Sequence, residues 1–137
     1  MDNLWEQVKD CFDTDDGSLP GIEIQKLSPA GVAAIYAMLR RRSQVVGTAE
    51  FWSLAKEASV PVDSLLNAAA LVAVGEAEAF HHCIENLISA DVKLPVLGVF
   101  VFNDTIELDY RMGRDWGPAE VAGLLRPRLG CGRCACL

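Results

Sequence analysis

Residues 94–112 read LPVLGVFVFNDTIELDYRM, and the reading of this stretch decides the fold. Leu94 to Phe102 is apolar and β-branched, Asn103-Asp104 is turn chemistry, and Thr105 to Met112 alternates. That pattern predicts a β-hairpin, with positive φ at Asn103 and Asp104 in a primed turn. With a two-residue loop, Val101 pairs with Ile106, Val99 with Leu108 and Leu97 with Tyr110. Directly opposed residues share a face, so those six form one wholly apolar surface. A three-residue loop would set Val101 against Glu107 and Val99 against Asp109, mixing charge into that surface. The other face carries Phe100, Phe102, Glu107, Asp109 and Arg111.

Around the hairpin, periodicity predicts helices. Residues 3–13 place Leu4, Val8 and Cys11 on one side, and 22–27 reads as a short strand with Ile22 and Ile24 on one face. Ser28-Pro29 is a capping hydroxyl followed by proline at the first helical position, opening a helix to about Arg42. Thr48 is a candidate cap for a helix over 49–58 with Phe51 and Leu54 inward and Trp52 at its edge. Asp63 is a candidate cap for another over 64–74, where only Asn67 among residues 65–74 is polar. Residues 77–88 fit a helix with Phe80, Cys83, Ile84, Leu87 and Ile88 on one arc, and Pro118 opens a last helix to Leu125. The whole predicts a single α+β domain over residues 1–128, with an antiparallel sheet centred on the hairpin and helices on its apolar face. Residues 129–137 form a flexible Cys-rich tail in this reading.

The chain has 137 residues, 51% of them apolar, which supports one core without disulfides or metal. Its net charge of −7 argues against nucleic acid and anionic membrane, both of which need Lys and Arg against phosphate. Acidity suits a basic protein partner. No apolar run approaches the ~18 residues of a membrane span, and the opening MDNLWEQVKD lacks a leader pattern, so the expected location is cytoplasmic. Cys11 and Cys83 sit in apolar patterns, where cysteine is most often an inert core residue.

Neither phosphate-binding glycine loop occurs, nor a G-x-S-x-G elbow, nor H-E-x-x-H, and no cofactor is expected. Three clusters remain. His81, His82 and Glu85 on one helical turn offer two metal ligands, or simply a solvated face. Glu107, Asp109 and Arg111 beside Phe100 and Phe102 are either an acid/base or cation-binding set, or the wet side of a half-covered sheet. Cys131, Cys134 and Cys136 are three of the four ligands a zinc site needs, with His81, His82 or Cys11 as the fourth, and the last four residues also fit C-a-a-X. A functionless tail is the alternative. For function, two readings stand. One is a small acidic interaction protein, an immunity or antitoxin-like inhibitor or accessory subunit without catalysis. The other is a small enzyme or ligand-binding domain using the carboxylate–arginine set.

Overall fold

In a computed structural model, residues 2–12, 17 and 19–125 are described. The tail with Cys131, Cys134 and Cys136 lies outside them. The hairpin is there in the expected register. Strand β8 (Leu97–Val101) pairs antiparallel with β9 (Ile106–Tyr110), setting Leu97 against Tyr110, Val99 against Leu108 and Val101 against Ile106. Phe102 N–H donates to Thr105 O at 2.9 Å. The turn itself differs from expectation, because neither Asn103 nor Asp104 has positive φ.

The hairpin is the middle of a five-stranded antiparallel sheet. Strand β1 (Gly21–Ile24) flanks β9, and β5 (Phe80–Glu85) flanks β8, with β2 (Gln44–Val45) outside β5. All six apolar hairpin residues are at most 4% exposed. Helix α2 (Pro29–Arg41) is capped as the sequence implies: Ser28 Oγ accepts from Gly31 N–H at 3.0 Å. Its Val32, Ile35, Tyr36 and Leu39 are buried. Helix α4 (Pro118–Leu125) also matches, and Glu120 reaches back to the Gly117 N–H at 3.1 Å. Leu39 of α2, Leu108 of β9 and Leu124 of α4 converge on one small gap, which places both helices on the apolar face. Helix α1 (Asp2–Val8) runs into a 3-10 turn and lies against α4. Beyond it, Phe12 stacks on Tyr110 at 4.5 Å and meets Trp116 at 5.1 Å. Cys11, expected in the core, is exposed.

Three predicted helices need correction. Residues 49–58 form strand β3 (Glu50–Ser53), a turn and strand β4 (Ala58–Pro61), with Phe51 packed 5.9 Å from Phe80. Residues 64–74 give a 3-10 turn over 62–64 and then α3 (Ala68–Ala73). Its cap is Asn67, not Asp63: Asn67 Oδ1 accepts from Ala70 N–H while its Nδ2 donates to Ala33 O of α2. Residues 77–88 hold β5 and begin a small hairpin, β6 (Ile88–Ser89) with β7 (Val92–Lys93). That hairpin is tied to α4 by Ser89 Oγ donating to Gly123 O at 2.7 Å. No helix among the described residues is long and apolar enough to cross a membrane.

Candidate functional site on the open sheet face

Alternation along each strand gives the sheet a second face, opposite the helices. Two cross-strand rows lie on it. One reads Glu23, Glu107, Phe100, His81 from β1 to β5; the other reads Gly21, Asp109, Gly98, Cys83. The rings of Phe100 and Phe102 stack at 4.5 Å, and the His81 ring tilts against Phe100 at 5.4 Å.

The β9 carboxylates lean over glycines. A Cβ at Gly21 would lie 3.0 Å from Glu107 Oε2. A Cβ at Gly98 would lie 2.5 Å from His81 Nε2 and still closer to Asp109 Oδ1. Glycine at position 98 therefore leaves the space in which His81 Nε2 meets Asp109 Oδ2 at 2.9 Å. The pair is partly open, with the His81 side chain 38% exposed and that of Asp109 22%.

Electrostatics on this face are unfavourable to the Glu107 carboxylate. Burial pushes the Glu107 carboxyl above its ordinary range, and the negative charges of Glu23 and Asp109 push it further, with His81 opposing. Glu23 stands directly across from Glu107 in the register. Like charges facing each other across a strand pair cost stability. Burial raises the Cys83 thiol too, and Asp109 adds to it, so this cysteine is a protonated thiol rather than an activated thiolate.

The sequence-derived residues fall as follows. Phe100, Phe102, Glu107 and Asp109 share the face as expected. Arg111 lies just past β9 and lines a separate cleft of about 540 Å³ with Glu85, Lys93 and Asp115. The partner of Asp109 is His81, which the helical reading had placed elsewhere. The grouping of His81, His82 and Glu85 on one helical turn is also corrected. On a strand His81 and Glu85 face outward and His82 inward, and no group of three or more His, Cys, Asp or Glu side chains among the described residues is placed to hold a metal. Two sequence signals pointed to the missing member: Gly98 inside an apolar strand, and the spacing of His81 and Cys83.

His82 is the buried end of a chain that runs from the covered face to the surface. Its Nε2 lies 2.8 Å from the Tyr36 hydroxyl, which receives Arg40 Nη1 at 3.0 Å, and Arg40 Nη2 pairs with Asp63. Cys83 O, 3.2 Å from Nδ1, can only accept, so in the neutral imidazole Nδ1–H donates to it and Nε2 accepts from the Tyr36 hydroxyl. Burial lowers the imidazole's pKa and so favours that neutral form.

Comparison of the chain with protein-family models, curated proteins and solved structures finds no match.

Proposed function

We propose that this protein is a cytoplasmic binding module that docks a basic protein partner on the open sheet face, as an immunity or antitoxin-like inhibitor or an accessory subunit does. The observation carrying this reading is the crowding of Glu107 by Glu23 and Asp109 beside the stacked Phe100–Phe102 pair. The Glu107 carboxylate, half-buried and crowded by Glu23 and Asp109, costs stability within the chain, and an incoming cation offsets that cost. The phenylalanine faces add apolar contact and a cation–π seat for lysine or arginine. A net charge of −7 steers a basic partner toward the protein and turns nucleic acid away.

The test is capture of partners on immobilised protein from lysate of its source, with Phe100→Ala and Glu107→Lys alongside. A basic protein retained by the wild type and lost from both variants is the expected result, with retention weakening as salt rises from about 0.05 to 0.5 M. Equal retention by all three, or retention insensitive to salt, overturns the reading. The His81–Asp109 pair is the observation favouring the enzyme alternative, since a carboxylate-bonded imidazole is an acid/base group. The protonated Cys83 thiol beside it supplies no nucleophile, which leaves docking the better-supported function.

A further inference from the structure

Strands β3 and β4 form a flap away from the central sheet's open face. Residues 76–78 complete it on the other side of β3: Glu78 N–H donates to Trp52 O at 3.0 Å, Leu54 N–H to Glu76 O at 3.1 Å, and Ser53 bridges Ala77. The flap is amphipathic. Phe51, Ser53, Val60 and Ala77 are buried, whereas Trp52 is 44% and Leu54 47% exposed. Beside Trp52 lie Ser59 on one strand and the Glu78 backbone on the other, and Ser59 Oγ donates to Glu50 Oε1 at 2.8 Å. Glu76 and Glu78 are exposed, as are Glu57 and the single Lys56 of the turn.

A tryptophan left half in water among glutamates is an interaction anchor in form: a large rigid ring within a negative rim. We propose that the outer face of this flap is a second docking surface, and that its occupant is an arginine-bearing basic segment of a protein. Charge complementarity selects the occupant. The glutamates repel an anionic membrane surface, and two copies of this face would bring like charges together. An arginine plane stacks on the indole while its guanidinium meets the carboxylates, which neither an apolar nor an acidic segment does. The surface shares no residue with the Phe100–Glu107 seat, so the two proposals stand or fall separately.

The test uses a hexa-arginine peptide titrated into the full chain, followed by backbone amide NMR shifts. Shifts centred on residues 50–61 and 74–79 are expected. Trp52→Ala should weaken binding about two- to five-fold, the range that exposed cation–π contacts supply, and Trp52→Phe should restore part of it. Glu76→Gln with Glu78→Gln should weaken binding at the flap and flatten its salt dependence, while Phe100→Ala should remove only shifts on the open sheet face and leave those of residues 50–61 and 74–79 in place. Trp52 packs outward, so its removal leaves the fold intact, which thermal melting verifies. Absence of shifts at the flap, unchanged flap affinity in Trp52→Ala, or flap shifts lost in Phe100→Ala but kept in Trp52→Ala each overturns the proposal.

Discussion

Val99 and Phe100 are chain neighbours on the same strand, yet they belong to two surfaces governed by different physics. Val99 is fully buried against the helices together with Leu97, Val101, Ile106, Leu108 and Tyr110. Each of these contributes roughly 1.5–3 kcal/mol by leaving water, so the covered face maximises stability. Phe100 faces a surface that does not. There Glu23 opposes Glu107, a glycine interrupts β8, and an imidazole–carboxylate pair occupies the gap that the glycine leaves. The facing carboxylates and the glycine each weaken a strand taken alone. The contrast separates residues that build the fold from residues that the fold presents, and it supports the docking reading of the second set.

The largest expected effect breaks the covered face. Val99→Asp or Leu108→Asp places an unpaired carboxylate among fully buried side chains. The cost of several kcal/mol consumes most of the roughly 5–15 kcal/mol stability of an ordinary domain. Circular dichroism and thermal melting should find no cooperative transition in either variant. A melt within a few degrees of wild type would mean that the hairpin faces are assigned the wrong way round. Phe100→Asp, one residue along, should by contrast melt cooperatively.

The hairpin was legible because an apolar run, a turn pair and an alternating run follow one another, and a two-residue loop puts six apolar residues on one face. Helices α2 and α4 were legible through their proline starts. β5 was not. Its inward positions are Phe80, His82 and Ile84, and a histidine in the middle breaks the apolar alternation. Phe80, Cys83, Ile84, Leu87 and Ile88 meanwhile satisfy the helical spacing by coincidence. What buries His82 is the Tyr36 hydroxyl, 46 residues away in sequence, and local pattern carries no trace of that bond. β3 failed likewise: Ala55, Lys56, Glu57 and Ala58 favour a helix, and the contact of Phe51 with Phe80 overrides them. The candidate site was half legible. Alternation put its β8 and β9 members on one face, and His81 was lost with the strand that carries it.

His82 is the polar exception on the covered face and gives a prediction of intermediate size. Burial holds its pKa below the ordinary 6.5, the nearby charges of Arg40 and His81 lower it further, and the bond to Cys83 O and the charge of Asp63 oppose this. The unfolded chain thus takes up the proton more readily than the folded one. Stability is complete above pH 6.5 and declines as pH falls from there toward the lowered folded value. His82→Gln should melt lower than wild type at pH 7.5, and its melting temperature should fall less between pH 6.5 and 5. Parallel curves for the two proteins would remove His82 as the group responsible.

The smallest effect is also the one that sharpens the contrast most, because its sign is reversed. On the covered face every polar substitution costs stability, whereas on the open face removing a charge should add it. Glu107 has a folded pKa raised above the ordinary 4.5 by burial and by Glu23 and Asp109. The folded chain therefore holds this proton more tightly than the unfolded one. The carboxylate costs stability above that range, and the cost disappears as pH falls below about 4.5. Glu107→Gln should melt about 1–3 °C higher than wild type at pH 7, the shift that a few tenths of a kcal/mol produces in a domain of this size. The gain should vanish by pH 4. The same variant should bind a basic partner less well, since the charge that strains the sheet is the charge offered to the partner. Loss of stability in Glu107→Gln at pH 7 would make Glu107 a structural member of the sheet, and would erase the distinction between its two faces.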